Sequence, residues 1–204
     1  MQPGFATKLK HLVGDIVNHL ALRADDLSVE ADVLTSMVTL RIQCHAEDAP
    51  RIVGKAGAHH KALLRIARVI GARHDARVEI AVEAPQLPEE LRAKTAWGFT
   101  PDPAWDRDGI KVLLREICRL VFGETVEVHA SDDDAQAKTV FTVWVDRREP
   151  LELVLAMTND LNTLFNVIGK RRGRLLAVDV APKLDADAAQ PKSAAGRFAR
   201  EVER

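Results

Sequence analysis

Hydrophobic positions along this chain follow a period near 3.6 in some stretches and a period of 2 in others, in a regular order. Leu9, Leu12, Val13, Ile16 and Leu20 fall on one face and predict an amphipathic helix over 8–21. Leu27 to Ala31 reads as a short strand, with Asp32 in the turn that follows. Val38, Leu40, Ile42 and Cys44 alternate with Thr39, Arg41 and Gln43, which predicts a half-buried second strand. Pro50 opens a short helix, with Asp48 or Glu47 near its cap. A long helix follows, carrying Leu63, Ile66, Ala67 and Ile70 and stopping at Gly71, and Val78, Ile80 and Val82 close the unit as a strand. The predicted order is α-β-β-α-α-β.

From Ile110 the same order starts again. Ile110, Leu113, Leu114, Ile117, Leu120 and Val121 form a helical stripe ending at Gly123. Val126 and Val128 fit a strand, Ser131 to Asp134 a polar turn, and Phe141, Val143 and Val145 a second strand. Pro150 opens a helix bearing Leu161, Leu164, Phe165 and Ile168, and Leu176, Val178 and Val180 form the last strand. Pro50 pairs with Pro150, and Val69-Ile70-Gly71 with Val167-Ile168-Gly169, so the halves read as an internal duplication. Residues 85–108 hold four prolines together with Trp97, Phe99 and Trp105. Prolines discourage helix and sheet, so this is a connector whose aromatics are expected to pack on a domain surface, base stacking being the alternative. The domains expected are thus 1–84 and 109–182, followed by a disordered tail over 183–204.

Composition narrows the class. A hydrophobic content of 47% with 29% charged residues describes a globular protein of 204 residues, large enough for one ordinary core or two small ones. A net charge of -1 leaves any attraction to polyanions to a local patch. No apolar run is long enough to span a membrane, and the N-terminus lacks a signal-peptide core, so no membrane partner is expected. Cys44 and Cys118 lack metal or redox spacing, which points to reduced thiols and a cytoplasmic location. No nucleotide-binding, hydrolase or zinc-protease signature is present. His59 and His60 are adjacent and make a poor ligand pair, and with His74 they read as basic-face residues. Asp132 to Asp134 reads as a hairpin turn. No catalytic residue, metal or cofactor is therefore expected, and the chain does not read as an enzyme.

One stretch stands apart, Arg51-Ile-Val-Gly-Lys-Ala-Gly-Ala-His-His-Lys61. Gly54 and Gly57 enclose Lys55 and Ala56 between two helices, where glycine lets the backbone turn sharply and lets another backbone approach. From Arg51 through His74 there is no Asp or Glu, while Lys61, Arg65 and Arg68 share a face. The following helix start offers free N–H groups and a positive dipole end, which suits a phosphate. By itself a G-x-x-G is also an ordinary helix–helix turn.

Signature and element order together resemble a type II KH domain of an α+β fold, similar to the small bacterial single-KH proteins of the KhpA type. The resemblance implies a clamp for single-stranded RNA, its loop formed by Gly54, Lys55, Ala56 and Gly57. Ile52 and Val53 would shape the loop's entrance and Leu64 the base groove, while Lys61 and Arg65 would add phosphate contacts. Ala56 and Ala58 stand where polar or basic residues are common in the family, which implies modest affinity. The second half has no glycine between Gly123 and Gly169, so it reads as a degenerate KH-like domain lacking GxxG. Its turn Lys170-Arg171-Arg172-Gly173-Arg174 is either a helix C-cap with solvated cations or an auxiliary RNA contact.

The resemblance implies an RNA chaperone or post-transcriptional regulator, pairing with another KH protein or as a homodimer, or a ribosome-associated rRNA-binding factor. A protein–protein adaptor built on KH-like scaffolds is the other reading.

Overall fold

The computed structural model describes residues 4–85 and 105–183. In the first half, α1 (Phe5–Leu20), β1 (Ser28–Leu34), β2 (Met37–Gln43), α2 (Ala49–Val53), α3 (Ala58–Ala72) and β3 (Arg77–Glu83) follow one another, with one 3-10 turn, Ala24–Asp26, before β1 and another, Lys55–Gly57, joining α2 to α3. The second half runs α4 (Arg107–Phe122), β4 (Glu127–Asp133), β5 (Lys138–Val145), α5 (Leu151–Arg171) and β6 (Leu175–Pro182). Each half holds a three-stranded sheet, in the orders β1-β2-β3 and β4-β5-β6. In both, the first strand is antiparallel to the central one and the third is parallel to it. The fold is α+β, with two small mixed sheets and helices.

The reason for this topology lies in the alternation. Val38, Leu40 and Ile42 of β2 are fully buried, while Thr39 and Arg41 between them are partly exposed. One face of the sheet must therefore be covered, and the helices cover it. A parallel third strand requires a crossover, which α2 and α3 supply in the first half and α5 alone in the second. The helices of the two halves also touch: α3 runs against α5, and α1 contacts α4 and α5. Among the described residues no helix is long and apolar enough to cross a membrane.

Several turns differ from the sequence reading. Asp32 lies inside β1, opposite Thr39, and pairs with Arg41; the chain turns at Thr35 and Ser36, with Thr35 at φ 52. Likewise Ser131, Asp132 and Asp133 belong to β4, and the turn is Asp134–Ala137. Polarity marked these residues as loop, but each extends a strand whose outward positions are free to be polar. Asp132 accepts from Thr139 Oγ1 at 2.6 Å and from Arg107 at 2.9 Å, which draws its carboxyl below the ordinary range. Asp48 occupies the N-cap position of α2 yet caps nothing there. Its buried carboxylate takes the backbone N–H groups of Leu22 and Arg23, at 2.8 and 3.0 Å, and pins the end of α1 to α2. Helix α4 begins at Arg107, two residues ahead of the expected boundary, with Asp106 accepting from Gly109 N. Trp97, Phe99 and the tail beyond Lys183 lie outside the described residues.

Gly71 and Gly169 show how closely the halves correspond. Gly71 O accepts from Ala76 N and Gly169 O from Arg174 N, each at 2.9 Å, so both helices fold back onto their strands by the same turn. A Cβ on Gly71 would stand 2.7 Å from Ala76 O, and one on Gly169 would stand 2.7 Å from Arg174 O. Backbone oxygen cannot step aside as a side-chain tip can. Gly71→Ala and Gly169→Ala are each expected to cost about 2 kcal/mol by overpacking, read as a lower urea midpoint. A midpoint unchanged by either variant would contradict the close approach.

Candidate nucleic-acid interface

The G-x-x-G turn is built from left-handed backbone. Gly54 has φ 78 and ψ 169, Ala56 φ 54 and ψ 27, and Gly57 φ 76 and ψ 19. Gly54 is required twice over: L side chains rarely adopt that φ, and a Cβ there would meet the His59 ring at 2.6 Å. Gly54 N is bonded to Pro50 O at 2.9 Å, closing α2, and Gly57 N to Gly54 O at 3.0 Å, closing the turn. Lys55 and Ala56 are exposed at its tip. No side chain caps α3, and the first of its N–H groups, that of Ala58, donates to Lys55 O within the turn.

Two cations serve this turn. Lys55 is exposed within it, and Lys61 reaches back so that its ammonium donates to Ala56 O at 3.2 Å. The other basic residues between Arg51 and His74 are committed elsewhere. Arg51 is buried beside Asp48 at 3.9 Å. Arg65 donates Nε to both carboxylate oxygens of Asp160, at 3.0 and 2.9 Å, and Nη2 to one of them. Arg68 donates to Val78 O at 3.2 Å, and Arg73 to Glu149 at 2.9 and 3.0 Å. The histidines are not basic-face residues either. His59 is buried with Nδ1 2.6 Å from Arg51 O, His60 Nε2 lies 3.0 Å from Ile80 O, and His74 stacks on Phe5. The acid-free run is thus answered by Asp48, Asp160 and Glu149 from beyond its ends.

The apolar positions divide in the same way. Ile52 is fully buried in the core and offers no surface to a ligand, a correction to its expected role at the entrance. Val53 and Leu64 are half-buried. The His60–Ile80 contact sets the His60–Leu64 face of α3 beside β3, where Val82 is also half-buried. Of the apolar positions expected at the site, Val53 and Leu64 thus keep part of their surface.

In the second half Pro150 caps an unbroken 21-residue helix, and Glu152 to Leu155 lie in its first turns. There is no turn to hold a phosphate at that place. The basic stretch Lys170–Arg174 is largely structural. Arg171 donates to Asn18 O and His19 O, at 3.3 and 3.1 Å, satisfying the end of α1. Arg174 donates to Asp134 at 2.9 Å and lies over the Trp105 ring, 5.2 Å from its centroid. Arg172 is half-buried, and of the four cations only Lys170 is exposed. Trp105 itself packs against the core. Burial, with the neighbouring charges of Arg172 and Arg171, holds His19 below its ordinary pKa.

Burial pushes the Cys44 thiol up to about 11, with Asp48 adding to the shift, and raises Cys118 as well. Neither is a nucleophile. Among the described residues no three His, Cys, Asp or Glu side chains gather into a group that could hold a metal. The region joins a helix start without a side-chain cap, two lysines and a positive-φ turn. Against known proteins, no family model matches this chain, and neither a curated protein nor a solved structure does.

Proposed function

We propose that the chain binds single-stranded RNA at the Gly54–Gly57 turn, in a first half that works as a type II KH domain. The second half is a KH-like domain without the clamp. The observation that carries this reading is the turn itself: positive-φ backbone at Gly54, Ala56 and Gly57, exposed at its tip, leading into a helix start that no side chain caps, with Lys55 and Lys61 at hand. A phosphate is met there by main-chain N–H groups and two ammonium groups, and Val53, Leu64 and Val82 give adjacent bases an apolar floor. Such contacts read the backbone and stack bases with little sequence demand, which fits an RNA chaperone or post-transcriptional regulator acting in the cytoplasm. An rRNA-binding factor on the ribosome uses the same chemistry.

With few cations free, the electrostatic share of binding is small. Titrating a labelled uridine oligoribonucleotide across a salt series is expected to give a shallow slope, roughly −0.7 per phosphate for about two to four phosphates. The absence of saturable binding at low salt would sink the proposal. One observation favours the adaptor reading as a second possibility: Arg65 and Arg73 spend their charge on holding the halves together, through Asp160 and Glu149.

A further inference from the structure

Helix α4 carries a cation every fourth residue, at Arg107, Lys111, Arg115 and Arg119. Three of these, from Lys111 to Arg119, line a groove of about 450 Å³ whose other wall is the start of β4. On the strand side the lining residues run consecutively, Val126, Glu127, Val128 and His129. A groove lying over one face of a strand would meet every second residue, because side chains alternate. Consecutive contact means that it follows the strand's edge. β4 is the outer strand of its sheet, and along an outer strand alternate residues direct N–H and C=O away from the neighbour.

The charges sort themselves along this groove. Arg107 is held by Asp132 at one end, and Arg119 by Glu116 and Glu124 at the other. Glu127 is taken up by Lys183. Every carboxylate around the groove is thus paired, whereas Lys111 and Arg115, which line it, have no ion pair or hydrogen bond among the described residues. Successive cations one helical turn apart stand ~6 Å apart along the axis, close to the ~7 Å between same-side residues of an extended peptide. The matching groove beside α1 in the first half is lined on its helix side by Lys10, His11, Gly14, Asp15 and Asn18, so one lysine stands there beside a carboxylate.

We propose that the groove between α4 and β4 takes an extended acidic peptide from a partner protein, which adds to β4 as a further strand. Its main chain pairs with the free edge of Val126–His129, and its acidic side chains on one face reach Lys111 and Arg115. A single-stranded nucleic acid satisfies the cations but leaves the strand edge unpaired, so the peptide fits both observations. This site is separate from the Gly54–Gly57 turn and does not depend on RNA binding there.

The test uses the full chain and a labelled synthetic peptide alternating glutamate and valine, followed by fluorescence anisotropy. Saturable binding is expected, weakened at least tenfold in the Lys111→Gln/Arg115→Gln and Lys111→Glu/Arg115→Glu variants, both with unchanged thermal melts. Methylating alternate peptide nitrogens should abolish binding, and hydrogen exchange at Val126–His129 should slow when the unmodified peptide is bound. Aspartate at Lys55 and Ala56 should leave peptide binding intact. Binding indifferent to both α4 variants, no binding at millimolar peptide, or capture at this groove of a uridine oligonucleotide but not of the peptide would each overturn the proposal.

Discussion

Aspartate introduced together at Lys55 and Ala56 is expected to abolish RNA binding while leaving the fold intact. Both residues are exposed, and Ala56 already has φ 54, a conformation that aspartate tolerates better than alanine. The backbone cost of the change is therefore small or favourable. Electrostatically it removes one cation and places two carboxylates at the helix start where a phosphate would sit, so like charges now meet. Affinity for pooled cellular RNA should fall by at least about tenfold, which a loss of about 1.4 kcal/mol of binding free energy produces. Equal binding by wild type and variant, with equal thermal melts, would favour the adaptor reading.

The second large effect is expected at Arg65 and Asp160, and it is asymmetric. Asp160 is fully buried and Arg65 largely exposed, so the cost of desolvation falls on the carboxylate. Burial raises the Asp160 pKa, Arg65 opposing it, while the bond to Asp160 holds Arg65 charged. Arg65→Ala leaves a buried carboxylate without its partner. Full burial of such a pair would make that loss about 3–5 kcal/mol, but Arg65 is exposed and water can enter its place, which reduces the figure to about 2 kcal/mol. Asp160→Asn removes the charge while its amide oxygen can still accept from Arg65, and should cost less. The native state holds the Asp160 proton more tightly than the unfolded chain does. Its contribution to stability is therefore favourable at low pH and is lost as pH rises from the unfolded carboxylate value, about 3.9, through the raised native one. Without Arg65 the native value rises further, so Arg65→Ala should be closer to wild type at acid pH than at neutral pH in urea melts. A deficit that does not vary with pH would count against a buried charge as its cause.

Hydrophobic period carried most of the fold. Leu9 to Leu20, Val38 to Ile42 and Leu161 to Ile168 are buried where their spacing places them, because each element covers one side of a small sheet. Polar residues misled wherever an element simply continued outward, as at Asp32 and Asp132, since a strand's solvent face looks like a loop. At the candidate site, Gly54 and Gly57 were legible because only glycine adopts such backbone cheaply. The electrostatics were not. Nothing local marks Asp160 as the partner of Arg65, 95 residues away, or Asp48 as the acceptor for Leu22 and Arg23. Asp160 stands at the place in α5 that Ala62 fills in α3, counted back from Gly169 and Gly71, so its acidity is peculiar to the second half. An acid-free run in sequence became a surface of paired arginines, leaving Lys55 and Lys61 at the turn.

The most direct measurement is an amide NMR titration of the full chain with a uridine oligoribonucleotide. The account predicts the largest shift changes at Gly54, Lys55, Ala56, Gly57 and Ala58, with smaller ones at Leu64 and Val82. Changes gathered instead at Lys170–Arg174 or along α4, with the turn between α2 and α3 unmoved, would contradict it.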